Sequence, residues 1–271
     1  MAQSPQANPG MSLGALAKAD ELRNRLLFTL GALIVYRLGT FIPLPGIDPV
    51  ALSDVFGQQS SGILGMFDMF SGGALGRMTI FALNIMPYIT ASIIMQLMTA
   101  IVPSLETMKK DGEAGRKQIN QYTRYLTVLL ATFQGFGIAV ALEAAGNIVA
   151  DPGMFFRLTT VVTLVGGTLF LMWLGEQITS RGIGNGISLI IFSGIVAEVP
   201  SALIGTLELG RTGALSAGLI VGVFVMAIAV IAFIVFIERS VRRILIQYPK
   251  RQHGNKVFGG DAQYLPLKIN V

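Results

Sequence analysis

The sequence predicts an all-α membrane protein, a polytopic helical bundle, and three observations carry that reading. First, 52% of its 271 residues are hydrophobic and only 13% are charged, with a mean hydropathy of +0.65. A soluble domain of this size has a far more polar composition. Second, a window of roughly 19 residues finds six apolar runs, at about 26–44, 78–102, 122–143, 156–176, 186–207 and 214–237. Third, Lys and Arg collect on alternate connections between those runs, as they do in chains threaded through a bilayer.

Taken in order, residues 1–25 read as a cytosolic leader. A secretory signal would need a basic start followed at once by a short apolar run and a small-residue cleavage site. Leu13, Leu16 and Leu22 fit an apolar stripe resting on the membrane surface. After the first run comes Ser61–Ala100, the stretch around which the chain is organised. Its first part, Gly62–Phe70, is apolar but far short of the roughly 20 residues a helical crossing needs. Ser71, Gly72 and Gly73 follow, a joint that permits almost any dihedral. The next run, Met78–Val102, is long enough to span. A short half-helix beside a full span fits a re-entrant segment, which survives at membrane depth only when protein or a water-filled cavity surrounds it.

Orientation follows from the basic residues. The leader, the connection after the second run (Lys109, Lys110, Arg116, Lys117), Arg181 and the tail from Arg239 to Lys268 carry most of the positive charge. The opposite connections carry only Arg77, Arg157 and Arg211. Both ends of the stretch are therefore expected in the cytosol, which agrees with an even number of spans. The tail, 239–271, reads as strand, turn and strand: RILIQYPKRQ, then HGNK, then VFGG, with Gly254-Asn255 at the turn.

Several residues admit two readings. Arg37 inside the first run either faces protein or water or snorkels to the outer interface. Ile85 and Ile89 share one helix face, which suits packing as well as a lumen. Pro87 between them is a candidate kink. Asn84, Thr90, Ser92, Gln96 and Gln134 are polar groups within spans, suited to interhelical hydrogen bonds or to a wet interior. Arg181–Gly186 (RGIGNG) has a glycine-loop look, but a dinucleotide fingerprint needs a preceding strand. A tight turn between two spans is expected instead. There is no cysteine and a single histidine, His253, which excludes disulfides, thiolate chemistry and a His-rich metal site. No Walker motif or nucleophile constellation is present. The chain reads as no enzyme, with no cofactor.

Two long stretches, IFALNIMPYITASIIMQLM (80–98) and LMWLGEQITSRGIGNGISLII (171–191), resemble the SecY family, the central channel subunits of the bacterial preprotein translocase. RLGTFIPLPGID (37–48), MFDMFSGGALGR (66–77), GRKQINQYTRY (115–125) and YLPLKIN (264–270) add to the likeness, which covers nearly the whole chain. The resemblance implies ten spans in two inverted halves around a pore. Residues 26–207 would form the first five-span half, 208–238 the sixth span, and 239–271 a basic cytosolic loop leading toward a seventh. It implies a plug at about 62–72 (Ile63, Leu64, Met66, Phe67, Met69 and Phe70) hinged at Gly72 and Gly73. It implies a pore ring that includes Ile85, Ile89 and Ile191, and a lateral gate with Thr90, Ser92 and Gln134. Arg242, Arg243, Lys250, Arg251 and Lys256 would form a docking surface for the SecA motor or the ribosome. Further implied partners are SecE, SecG, signal peptides, nascent chains and the lipid bilayer, in the bacterial plasma membrane.

An isoleucine ring has no fixed hydrogen-bonding groups, so it can close by dewetting. Two features depart from the family pattern. Asn84 stands where a glycine is usual, and the chain stops at Val271, so it reads as a fragment that would not close a channel alone. A small-solute transporter with broken helices is the alternative, for which Arg37, Glu176 and Glu198 are the intramembrane candidates. A membrane scaffold without a pore is a third.

Overall fold

The structure, a computed structural model, describes residues 20–48, 50–52, 65, 68–69, 71–146, 148–246, 251–253, 256–258 and 263–268. The helices are α1 (Asp20–Gly39), α2 (Met86–Ile101), α3 (Pro103–Lys110), α4 (Glu113–Ala144), α5 (Met154–Arg181), α6 (Gly186–Arg211) and α7 (Ala217–Glu238). Four of them, α4 to α7, are long and apolar enough to cross a membrane, and the bent pair α2–α3 makes a fifth candidate. Helix α1 has 20 residues, with acidic Asp20 and Glu21 in its first turn and Arg37 in its last, an arrangement that complements the helix dipole. The chain falls into two compact units, 1–200 and 201–271.

The first unit is packed as a membrane bundle packs. Helix α4 buries Thr123, Thr127, Ala131, Gly135 and Ala139 at a spacing of four, while Leu129, Phe133 and Phe136 on its other faces are exposed. Helix α5 buries Thr160, Leu164, Gly167, Thr168 and Leu171. Small residues let backbones approach closely, and lipid tails accept the large apolar ones. Helix α1 repeats the pattern, with Thr29, Ala32, Tyr36 and Gly39 buried and Leu27, Ile34 and Leu38 exposed. Two buried clusters result. One gathers Leu44, Leu75, Met78, Leu83, Ile148 and Leu164. The other gathers Tyr36, Phe81, Ile85, Leu171, Ile178 and Ile190.

The second expected span is corrected at its start. Residues 78–85 are not helical, and α2 begins only at Met86. Met78 (φ 41°) and Asn84 (φ 49°) adopt left-handed backbone, which an α-helix cannot contain. The Leu44 amide bonds the Met78 carbonyl (2.9 Å), and the Ile80 amide bonds the Ile42 carbonyl (3.0 Å). Pro87 also differs from expectation. It lies in the first turn of α2, where a missing N–H costs little, so it starts the helix and does not kink it. The bend comes later. Val102 is extended (ψ 114°) before Pro103, as a residue preceding proline prefers, and α3 leaves α2 at 99°. The apolar runs also underestimated their helices, since α4 starts at Glu113 and α5 continues to Arg181.

The RGIGNG stretch is a tight turn, as expected. Gly184 is left-handed (φ 75°), and Asn185 caps α6 by accepting the amides of Ile187 (3.1 Å) and Ser188 (3.4 Å). Across the bundle, Glu143 at the end of α4 accepts from Arg157 Nε (2.7 Å) and the Gly153 amide (3.0 Å). That closes the α4–α5 connection.

In the second unit, α7 follows Ser216, whose hydroxyl accepts the Leu219 amide at 3.4 Å. The tail is more elaborate than one hairpin. Strand β1 (Val241–Ile246) pairs antiparallel with β4 (Gln263–Lys268), and β2 (Arg251–His253) pairs with β3 (Lys256–Phe258). The expected strand over RILIQYPKRQ is thus divided between β1 and β2, and β4 was not anticipated. Pro266, opposite Arg243, conceals β4 in the sequence, because proline within an apolar run argues against a strand.

Candidate functional site

The joint at 71–77 is the most heavily bonded loop near the expected site. Gly72 (φ 66°) and Gly73 (φ 77°) are both left-handed, which is why glycine stands there. Space is a second reason. A methyl group built on Gly72 would lie 3.0 Å from the Gly194 carbonyl oxygen and 2.9 Å from Arg37 Nη1. The Gly72 carbonyl accepts from Arg37 Nη1 (2.8 Å) and from Arg77 Nη2 (2.9 Å). The Gly73 carbonyl accepts from Arg77 Nε at 2.9 Å. The Ser71 carbonyl accepts from the Tyr36 hydroxyl at 3.3 Å. Asp68 ties the loop from the other side: its Oδ1 accepts the Gly76 amide, at 2.6 Å, and its carbonyl oxygen accepts the Gly73 amide, at 3.0 Å.

Arg37 therefore faces protein, and the snorkelling alternative is set aside. Two guanidinium groups reach one oxygen, so their charge centres lie within about 8 Å and repel by roughly 2 kcal/mol or more at an effective dielectric near 20. The surroundings offset this. The carbon at the centre of each guanidinium lies near the Phe41 ring, at 5.3 Å for Arg37 and 4.5 Å for Arg77, a favourable cation–π distance. Glu198 supplies opposite charge, since a methyl group on Gly73 would be 2.9 Å from both its Oε1 and Arg77 Nη2. Arg77, Tyr36 and Phe41 were not singled out as site residues from the sequence. Tyr36 reaches Ser71, and Phe41 meets Arg77, from about 35 positions away, for which no local pattern exists, while the bonds of Arg77 to Gly72 and Gly73 are local.

Of the plug residues, Met69 is exposed, whereas Ile63, Leu64, Met66, Phe67 and Phe70 lie outside the described residues. Of the ring residues, Ile85 is enclosed, 1% exposed, within the cluster of Tyr36, Phe81 and Ile190. Ile89 packs against that cluster and stays half-buried. Ile191 is half-buried too, and its neighbour Ile190 is the residue enclosed in the cluster. The rings of Tyr36, Phe81, Phe170 and Trp173 follow one another at 5.8–6.2 Å between centroids.

Asn84 has a clear reason. Asparagine is among the few non-glycine residues that tolerate left-handed backbone, and its Oδ1 accepts the Ile85 amide at 2.8 Å. Thr90 is exposed and donates to the Met86 carbonyl at 3.1 Å. Ser92, two residues on and so roughly 200° around the helix, lines a separate cleft of about 170 Å³ between α2 and α4 with Gln96, Thr99, Asn120 and Arg116. Gln134 is exposed on α4. Thr90 and Ser92 thus lie on nearly opposite faces of α2. Glu176 is engaged by Arg124, whose Nη2 reaches both carboxylate oxygens at 2.7 Å.

In the tail, Arg242 and Arg243 are exposed on β1, opposite Leu267 and Pro266. Arg251 pairs with Phe258 and Lys256 with His253 in the inner ladder. Lys250 lies outside the described residues.

Comparison with known proteins accords with this architecture. The SecY family model matches residues 79–271. The protein translocase subunit SecY of Rickettsia conorii is 58% identical over 256 residues, 93% of this chain and 59% of that protein. A solved structure described as a protein-conducting channel superposes with a TM-score of 0.63 at 20% identity, over 91% of this chain and 53% of the other. A second, described as showing that the plug domain of SecY stabilises the closed state of the translocation channel and maintains a membrane seal, gives 0.62 at 20% identity, over 91% and 52%. Both likenesses concern the fold alone. The chain spans about 59% of the length of the curated relative it matches.

Proposed function

This chain belongs to the SecY family, and from that membership we propose that it forms the first half, and a little more, of a protein-conducting channel. It is a multi-pass membrane protein, with four to five apolar spans by length and composition among the described residues. The proposed activity is passage of unfolded preproteins across the bacterial plasma membrane and release of apolar helices sideways into lipid. The distribution of Lys and Arg supports an orientation with both ends of this stretch in the cytosol. The SecA motor or a docked ribosome would act on the basic tail, and SecE and SecG would complete the complex.

The observation that carries this reading is the broken approach to α2. The chain runs from the Gly72–Gly73 joint through non-helical backbone to Ile85, with Thr79, Phe81 and Asn84 buried along the way. Such backbone fits a bilayer only inside protein or beside a cavity. It connects the Gly72–Gly73 joint, which follows the short apolar segment 62–70 in sequence, to the proposed isoleucine ring. In the proposal that segment stoppers the pore, and Ile85, Ile89 and Ile191 seal it around a passing chain. Thr90, Ser92 and Gln134 belong to helices that border the lateral exit. The transporter alternative is less well supported, because Glu176 and Arg37 are committed to Arg124 and to the Gly72 carbonyl.

Deletion of residues 62–70 in the full-length channel tests the reading. Resting ion conductance in planar bilayers should rise. An unchanged conductance would count against a stopper.

A further inference from the structure

We infer that Arg37 and Arg77 form a latch on the Gly72–Gly73 joint, and that Glu198 receives Arg77 when the latch opens. The inference rests on the stopper reading above but concerns only residues 37, 41, 72–77 and 194–198. The joint looks, in sequence, like a free swivel. In the structure its carbonyls are the acceptors of three guanidinium N–H donors at 2.8–2.9 Å. Hydrogen bonds from charged donors are about twice as strong as neutral ones. Any rotation at Gly72 or Gly73 turns these carbonyls away and strands two cations.

The surroundings prescribe where those cations go. Arg37 keeps the Phe41 ring at 5.3 Å. Arg77 has the ring at 4.5 Å and the Glu198 carboxylate beside it at Gly73. The methyl-position distances put Arg77 Nη2 and Glu198 Oε1 on the same side of Gly73, yet the two do not form one of the structure's ion pairs. Arg77 thus has two acceptors within reach, the joint's carbonyls and Glu198, and occupies the first. A shift of its guanidinium to Glu198 would free the Gly73 carbonyl and leave the Gly72 carbonyl to Arg37 alone, without leaving the charge uncompensated. That makes opening a two-position exchange, with the resting position held by the two bonds Arg77 makes to the joint against its repulsion from Arg37.

The test uses resting conductance of the full-length channel, with and without residues 62–70. Arg77→Gln and Arg37→Gln in the intact channel should each raise the resting conductance on the order of tenfold, the population shift expected for a lost charged hydrogen bond. Arg77→Lys, which keeps one point donor, should fall between. Neither substitution should raise conductance further once residues 62–70 are deleted. Glu198→Gln should lower conductance or slow opening, because it removes the receiving site.

Equal increases in both backgrounds would mean the arginines act on the bundle, and would overturn the latch. No increase from either arginine variant, while the deletion itself leaks, would also overturn it and leave the stopper standing. If the deletion does not leak, the stopper reading fails first and the latch with it. A rise in conductance from Glu198→Gln would refute the exchange.

Discussion

Gly166 and Gly167 are neighbours on α5, and the same substitution should have very different consequences at the two positions. A methyl group at Gly166 meets nothing within 4 Å. At Gly167 it falls inside the van der Waals envelope of the Ile80 carbonyl oxygen, 3.0 Å from the Ile80 carbonyl carbon and 3.2 Å from Phe81 Cδ1. What it meets is backbone, which cannot rotate aside. The Ile80 amide is already fixed to the Ile42 carbonyl at 3.0 Å, so relief requires moving the whole 78–85 segment or α5 by roughly 1 Å. Overpacking of this kind costs about 1–3 kcal/mol, and the upper part of that range is expected here. For Gly166→Ala the change should be under about 0.5 kcal/mol, since a transmembrane helix is already formed in the dissociated state and gains little from a better helix former. The assay is thermal unfolding of the full-length protein in detergent, beside resting conductance in bilayers. Gly167→Ala should lower the unfolding midpoint and raise the leak, because Ile85 is carried by the displaced segment. Equal midpoints and equal conductance for the two variants would refute the packing argument.

Three further outcomes are expected. At Asn84 both glycine and valine remove the acceptor of the Ile85 amide, at a cost of about 1 kcal/mol, and valine should lie a further ~1–2 kcal/mol below glycine, from its strained positive φ, the left-handed penalty; parallel melting curves for Asn84→Gly and Asn84→Val would contradict this. A double-mutant cycle on Arg124 and Glu176 should give a coupling of about 1 kcal/mol, discounted because both side chains are more than a third exposed, and it should shrink at 1 M salt. Reversal of Lys250, Arg251 and Lys256 to Glu should weaken ribosome binding and flatten its dependence on log salt by about 2–3 units; unchanged affinity at low salt would argue against the tail as a docking surface.

Ile85 and Ile89 call for different handling in such experiments. Ile85 is enclosed, so Ile85→Gly creates a cavity and destabilises by about 2–5 kcal/mol, which confounds leak with misfolding. Ile89 is half-buried, and Ile89→Gly gives the cleaner readout of a seal: its leak should rise with little change in the unfolding midpoint, while an unchanged leak would argue for a lipid-facing position.

The sequence by itself determined the fold class. Apolar runs of spanning length are a local property, and local properties survive in a string of letters. The RGIGNG turn was legible for the same reason, because Gly184 and Asn185 act on their immediate neighbours. Tertiary structure decided the rest. It began the second span's helix at Met86, eight residues later than hydropathy placed it, since the left-handed backbone at Met78 and Asn84 is stabilised by packing and hydropathy does not register φ. It paired β1 with β4 across some twenty residues. It turned a pair of glycines from a swivel into a pinned joint, because the bonds that fix Gly72 come from Arg37 and Arg77, and only folding brings those two side chains to one carbonyl.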